Sequence, residues 1–400
     1  MHIGFYTNAY RPTISGVVRS VESFRKALSE LGHNVFIFSP HTEEYEDEEP
    51  FVFRYPSLDI PQFPDLPFVI PISSSIDHIL PSLKMDVIHS HHPVLLGQTA
   101  ANYSAKYHLP LVFTFHSRYW EYSRYAGSIG QDFIKDQIDN ILCDYLQKCH
   151  HIITPSDSLR KILLDEYGFE DQITTIPTGI DVPLFESLDH QAERQKLKWG
   201  DDIVLISAGR LAMEKNWDTL IEAAAFVMRK NLKVRLVLLG DGSERKKLRN
   251  KAKTLGIAGR VEMPGGVNID KVGNYLVAAD IFCFASVAEA QGLVTLEAMA
   301  AGLPVAAVDG SGTRDVLEDG IQGFLTTNDA EALGQKIDIL VADLELRARM
   351  GQAARIRARE FDIINQAHKL LGVYEQARES SRQGKLIHCF RRNMSGRSTS

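Results

Sequence analysis

Residues 203–240 read IVLISAGRLAMEKNWDTLIEAAAFVMRKNLKVRLVLLG, which is a strand, a loop, a helix and a second strand in succession. IVLISAG (203–209) and VRLVLLG (234–240) are short apolar runs ending in glycine, and the segment through Leu220 and Ala224 between them keeps a helical period. RLAMEKN (210–216) is the loop that joins the first strand to that helix. The chain opens in the same order. HIGFYT (2–7) is a strand and NAYRPTISG (8–16) a loop; a helix follows with Val17, Val21, Phe24, Leu28 and Leu31 on one face, ended by Gly32, and then the strand NVFIF (34–38). Two such units in one chain imply two nucleotide-fold halves.

The segments between and after them continue the pattern. DVIHS (86–90), LVFTFH (111–116) and HIITPS (151–156) are apolar runs with polar ends, as parallel strands in an α/β sheet should be. RVEMPG (260–265), IFCFAS (281–286) and PVAAVD (304–309) do the same in the second half. Residues 177–190, PTGIDVPLFESLDH, have neither period and read as a linker. The expected organisation is an α/β chain with one Rossmann-like domain over 1–180, a second over 190–361, a closing helix over 362–379 that crosses back to the first domain, and a basic, disordered tail over 380–400.

A length of 400 residues with 44% hydrophobic and 24% charged residues excludes a disordered or fibrous chain. With 51 acids against 44 bases the net charge is -7, and no general attraction to nucleic acid is expected. The acidic run Glu43, Glu44, Glu46, Asp47, Glu48, Glu49 reads as a solvated loop. The tail carries Arg382, Lys385, Arg391, Arg392 and Arg397 without an acid and has a membrane-seeking composition. Four cysteines without metal-ligand spacing fit a reducing compartment and no structural zinc. With no charged leader and no apolar run of bilayer length, the expectation is a cytoplasmic protein whose membrane contact is peripheral.

In an open parallel sheet ligands gather at the carboxyl ends of the strands, so candidate chemistry is sought there. EAQGLVTLEAMAAGLPV (289–305) holds two acids, Glu289 and Glu297, separated by seven residues. If a helix begins near Gly292, Glu297 lies within it, Glu289 lies in the loop before it, and the first-turn amides of Gly292, Leu293 and Val294 lack intrahelical partners, a terminus that attracts phosphate. The plainer alternative is a solvated helical acid and a loop acid; the small residues Ala298, Ala300, Ala301 and Gly302 favour a tightly packed helix instead.

This segment resembles the E-x7-E motif of retaining glycosyltransferase family 4, whose members adopt the two-domain GT-B fold with two Rossmann-like sheets facing across a cleft. AGRLAMEKN (208–216) is similar to the family's GR-x-x-x-EK phosphate-gripping loop, LLGDGSERKKL (238–248) to its G-x-G-x-x element, and PTGIDVPLF (177–185) to its N-G-V-D linker with Thr178 in place of Asn. The four motifs occur in the family's order, and the match runs from residue 1 to about 379. One departure stands out: GSGTRD (310–315) occupies the place of a Gly-Gly-x-Pro-Glu turn.

The resemblance implies that Arg210 and Lys215 hold the diphosphate of a nucleotide-sugar, that Glu297 accepts hydrogen bonds from the ribose hydroxyls, and that Gln291, Gly292, Leu293 and Val294 complete the donor site. Glu289 would touch the donor sugar, His116 would contact it near the reacting centre, and Gly16 would let the backbone approach the diphosphate. For His116 alone, packing at the mouth of the cleft is the competing reading. His89, His91 and His92 fit no common zinc spacing and read as structural or cleft-lining. The sequence has no Asp-x-Asp pair, so a metal chelating the diphosphate through that motif is not expected, scattered acids assembling a metal site being the alternative; no other cofactor is expected.

On the acceptor side, HSRYWEYSRYAG (116–127) sets Arg118, Tyr119 and Trp120 among further aromatic and basic residues, a composition suited to a membrane interface, to a sugar platform, or to packing against a helix. This stretch and the EAQGL form of the acidic motif resemble the branch that glycosylates diacylglycerol and related lipids. The resulting expectation is a hexosyltransferase moving glucose or galactose from UDP-glucose or UDP-galactose to a lipid hydroxyl, bound peripherally to the inner, anionic face of a membrane. A soluble or polyprenyl-linked glycan acceptor, or a silent sugar-nucleotide sensor, are the alternatives.

Overall fold

In a computed structural model the chain is described over residues 1–43, 45–58, 68–116, 131–168, 172–287 and 289–389. It divides into two compact units, the first built from Met1–Gly179 with Ile363–Ser400 and the second from Ile180–Asp362.

The first unit is built on strands β1 (His2–Tyr6), β2 (Asn34–Pro40), β3 (Val52–Tyr55), a small antiparallel pair β4 (Ser57–Leu58) and β5 (Phe68–Val69), then β6 (Val87–Ser90), β7 (Leu111–Thr114), β8 (His151–Thr154) and β9 (Ile173–Thr175). Seven of them form one parallel sheet in the order β3-β2-β1-β6-β7-β8-β9. Both faces are covered, which is why β6, β7 and β8 are buried along their whole lengths and read as continuous apolar runs.

The helix predicted after β1 spans Gly16–Glu30, one residue earlier than the apolar face alone indicates, because Ser15 caps it by accepting from the Val18 amide at 3.3 Å. Its Val18, Val21, Phe24 and Leu28 join Ile3, Phe5, Val35, Val87 and Val112 in one core, completed by Leu370, Val373, Tyr374 and Ala377 from the last helix, Ile363–Arg382.

The second unit holds β10 (Ile203–Ala208), β11 (Val234–Leu239), β12 (Val261–Gly265), β13 (Ile281–Phe284), β14 (Val305–Val308) and β15 (Gly323–Thr326), parallel in the order β12-β11-β10-β13-β14-β15. Alternation along β10 feeds two cores: Val204 and Ile206 enter one, with Phe282 and Val305, while Leu205 enters the other, with Leu236 and Ile281. Two all-parallel sheets covered by helices make the α/β, two-Rossmann architecture.

Four readings need correction. The apparent linker 177–190 contains a helix, Val182–Glu186, and meets the next one, His190–Leu197. Its acids and proline are start signals: Asp181 accepts from the Leu184 amide at 3.2 Å, Asp189 from the Ala192 amide at 2.7 Å, and Pro183 sits in the first turn. Val182 and Phe185 are buried in the second unit's core.

The acidic run is partly paired, since Glu49 meets Arg25 and Asp47 meets Arg54 bidentately at 2.6 and 2.9 Å. These partners lie outside the run, so its composition could not show them.

Residues 380–389 of the tail are ordered, against the expected disorder. The closing helix reaches Arg382, and Ile387 is buried and donates from its amide to the Cys149 carbonyl at 3.2 Å. Cys389 is buried and forms a disulfide with Cys143, with Cα atoms 5.9 Å apart, whereas the sequence pointed to four reduced cysteines. A pairing across 246 residues leaves no spacing signal. Residues 390–400 lie outside the described residues. No described helix is long and apolar enough to cross a membrane.

The chain passes between the units at 179–180 and returns at 362–363. A Cβ on Gly179 would lie 2.4 Å from the Ile363 Cα, a contact with backbone that no rotamer relieves. Gly179→Ala is therefore expected to destabilise the protein by about 2 kcal/mol or more, read as a lowered urea midpoint at unchanged m-value. An unchanged midpoint would show that the passage is looser than this geometry.

Candidate active site

Each sheet reverses its direction of growth once, between β1 and β6 in the first unit and between β10 and β13 in the second. At such a point the two loops leaving the strand ends run to opposite sides and expose backbone to a ligand. In the second unit these are the loop after β10, which carries Arg210 and Lys215, and the loop after β13, which carries Glu289 and Gln291.

The structure joins the two loops directly. Lys215 Nζ lies 2.7 Å from Glu289 Oε1, with both side chains largely shielded from solvent. Arg210 turns instead to Glu214 at 2.8 Å on the surface. The helix after the second loop spans Leu293–Ala300 with Gly292 at its N-cap, in the left-handed region at φ 74° and with no side chain capping the end. Glu297 is only 5% exposed and Thr295, Leu296, Ala298 and Met299 are buried around it, so the solvated-acid reading fails and the packed-helix reading holds. Gln291 is buried, while Leu293 and Val294 are partly buried.

Several supports were not legible in the motifs. Asn216, with φ 55°, donates from Nδ2 to the Ala285 carbonyl at 3.0 Å and to Asn328 Oδ1 at 2.8 Å, which fastens the residue after Lys215 to the end of β13. Trp217 Nε1 donates to the Arg210 carbonyl at 3.0 Å. The turn GSGTRD holds the first acid in place: the Glu289 amide donates to the Ser311 carbonyl and Ser311 Oγ to the Glu289 carbonyl, both at 3.3 Å. Gly312 has φ 79° and lies so close that a Cβ would fall 2.8 Å from the Glu289 carbonyl oxygen, so this turn requires glycine. The Asn after Lys215 was the one available signal, since Asn tolerates the left-handed region.

In the first unit Gly16 is the first residue of its helix rather than a loop residue, and a Cβ there would meet nothing within 4 Å. His116 follows β7 and is 8% exposed; its Nε2 lies 2.9 Å from His91 Nδ1. His91 also stacks on His89, centroids 4.4 Å apart, and His89 bonds to the Tyr374 hydroxyl at 2.8 Å and to Thr114 Oγ1 at 2.6 Å. Burial lowers the pKa of His89 to about 3 and of His92 to about 4, and holds His91 and His116 well below their ordinary value. These rings are neutral at pH 7. Among the described residues no group of three or more His, Cys, Asp and Glu is arranged to hold a metal ion. Arg118, Tyr119 and Trp120 lie outside the described residues.

With this geometry in place, comparison with known proteins is decisive. Residues 14–183 match the family described as Glycosyltransferase Family 4, and residues 189–357 match Glycosyl transferases group 1. The chain is 30% identical over 351 residues to the α-monoglucosyldiacylglycerol synthase of Streptococcus pneumoniae strain ATCC BAA-255 / R6, covering 86% of this chain and 79% of that protein. The chain belongs to glycosyltransferase family 4. This glycosyltransferase is also 29% identical to the α-monoglucosyldiacylglycerol synthase of Acholeplasma laidlawii, over 85% of its own length and 88% of the relative's. Its GT-B fold is shared with Anabaena Alr3699/HepE, solved in complex with UDP-glucose, at a TM-score of 0.70 and 22% identity over 92% of this chain and 99% of that one.

Unfolding frees the buried imidazoles to take up protons near their ordinary pKa of 6.5, whereas in the glycosyltransferase they do so only far below it. The native state therefore keeps this margin above pH 6.5 and loses it as the pH falls towards 4, by up to about 1.4 kcal/mol per pH unit for each histidine. Urea unfolding at pH 7.5, 6 and 5 should show the midpoint falling below pH 6.5, and His89→Gln should flatten that fall. A slope identical in wild type and variant would contradict the burial of His89.

Proposed function

We propose that this glycosyltransferase moves a hexose from UDP-glucose or UDP-galactose to a lipid hydroxyl, such as that of diacylglycerol or a glycosyldiacylglycerol, with retention of configuration and without a metal ion. The observation that carries the reading is the Lys215–Glu289 pair at the switch point of the second sheet, in a chain similar over most of its length to synthases named for monoglucosyldiacylglycerol. The UDP-glucose complex of a protein with the same fold supports the donor.

In this reading Arg210 and Lys215 meet the diphosphate, and the amides of Gly292, Leu293 and Val294 add the positive end of a helix. Glu297 accepts from the ribose hydroxyls, with Gln291 beside it. Glu289 faces the donor sugar, held by the Ser311 turn and by Lys215, and His116 and Gly16 are the further donor contacts that the family resemblance implies. The bond from the anomeric carbon to the phosphate oxygen breaks, the acceptor oxygen bonds to that carbon on the same face, and the departing phosphate oxygen takes the acceptor's proton. Negative charge grows on the diphosphate in the transition state, so fixed cations and amides stabilise that state more than the bound donor. Arg118, Tyr119, Trp120 and the basic residues of the tail would dock the enzyme on the anionic inner face of a membrane.

The test is incubation with labelled UDP-glucose and UDP-galactose in the presence of diacylglycerol vesicles, followed by product identification. Label in a glycolipid is expected; label only in a soluble or polyprenyl-linked glycan would replace the lipid acceptor, and UDP-sugar binding without turnover on any acceptor would leave a sensor.

Two further outcomes follow from the charge arrangement. Lys215→Ala should lower kcat/KM by about tenfold or more, or about 1.4 kcal/mol, while Arg397→Ala, which removes only one of the tail's five bases, leaves it near wild type. Equal rates in both would remove Lys215 from the donor site. Turnover should also survive excess chelator, because side chains and a helix terminus supply the positive charge; a complete loss restored by magnesium or manganese would show a metal in the reaction.

A further inference from the structure

We infer that the Cys143–Cys389 disulfide is a reversible latch: small thiols open it by exchange, and opening frees residues 385–389 from their seat on the first unit. Both cysteines belong to that unit, so the latch needs no contact with the second.

Without the bond the seat is slight. The closing helix ends at Arg382, Gly384 turns the chain with φ 64°, and residues 385–389 take up no regular structure. Lys385 still belongs to the helix end, its amide donating to the Ser380 carbonyl at 2.9 Å. Beyond it Leu386 and His388 are exposed. Among the described residues, the hold on the unit's body comes from the buried Ile387 side chain, from its amide on the Cys149 carbonyl, and from Gln147 Nε2, which donates to the Cys389 carbonyl at 3.1 Å. One side chain and two hydrogen bonds stand against the conformational freedom of the whole segment. Such a segment opens locally at little cost, and a cross-link at its far end closes it again by keeping the seat within reach.

Exposure decides how the bond opens. Cys143, on the helix Gln131–Leu146, is half-buried, whereas Cys389 is 5% exposed, so attack falls on the Cys143 sulfur. A thiolate bonds to Cys143 Sγ, the disulfide bond breaks, and Cys389 leaves as a thiolate that takes up a proton. A second small thiol attacks the mixed disulfide, which leaves Cys143 as a thiol and joins the two small molecules as a disulfide. Two electrons thus pass from the small thiols to the protein, and their two protons end on the cysteines. The reverse exchange, with a small disulfide, closes the latch.

The other two cysteines stay out of this chemistry. Cys149 and Cys283 are fully buried, and burial pushes both thiols above their ordinary range, which keeps them protonated. Arg391, Arg392 and Arg397 follow the segment in the sequence, so the bond also sets where the basic end of the chain leaves the first unit. That point is beside Cys143 when the latch is closed and at the end of the closing helix when it is open.

The test is hydrogen exchange of the full-length protein, read by mass spectrometry on a peptide spanning 385–389, with and without dithiothreitol. Reduction should speed exchange there by about tenfold or more and leave the β10 peptide unchanged. Oxidised glutathione, a small disulfide, should restore the slow rate once dithiothreitol is removed. Cys143→Ser should exchange fast in either condition; its β10 peptide reports whether the variant folds, and the wild-type comparison stands without it. Equal protection of 385–389 in both redox states would show that packing alone seats the segment, and a rate that oxidised glutathione does not restore would show a bond that is not reversible. Either result overturns the latch, as would four free thiols counted by alkylation of the unfolded protein after treatment with oxidised glutathione.

Discussion

A parallel sheet covered by helices on both faces leaves polar chemistry one way out, the carboxyl ends of its strands. Strands β6, β7 and β8 are buried along their full length, as are β13 and β14, so a charged side chain within any of them would lose its hydration without repayment. The candidate groups follow this constraint. Arg210 and Lys215 lie beyond β10, Glu289 and Gln291 beyond β13, and His116 beyond β7.

The same constraint explains why the Lys215–Glu289 pair is surrounded by backbone supports rather than by further charges. A lysine and a carboxylate that are both mostly shielded hold each other only if their loops cannot drift, because a shift of an ångström gives up attraction without restoring hydration. Asn216 and Trp217 restrain the lysine's loop, and the Ser311–Gly312 turn restrains the acid. A site prepared in this way pays little reorganisation when a charged ligand arrives.

The alternating sheet logic was plain in the sequence because it depends on local period: the apolar runs from IVLISAG to PVAAVD fall on strands, with their polar last residues just beyond. Glu297 was equally readable, since the run of small residues that follows the acid announces a packed helix. What the sequence hid depended on which partner each group meets once the chain is folded. Asp181 and Asp189 looked like linker acids because a cap is defined by the amides it meets, and Asp47 and Glu49 looked solvated because their arginines lie elsewhere. Cys143 and Cys389 gave no hint of pairing for the same reason. GSGTRD departed from the motif expected there, yet its serine braces the Glu289 backbone through its own carbonyl and hydroxyl, and Gly312 allows the close approach that this needs.

The first unit is discontinuous, and this bears on how the chain is made. Leu370, Val373 and Tyr374 belong to the core formed by the helix Gly16–Glu30 and strands β1, β2 and β6, but a ribosome produces them only after all of Ile180–Asp362. The amino-terminal unit thus waits with an apolar groove unfilled while the second unit, whose cores are drawn from one uninterrupted stretch, can already fold. The hydroxyl that steadies His89 comes from that same late helix. Synthesis completes the histidine stack last, and a nascent enzyme holds its nucleotide-fold second half before the first half has its full brace.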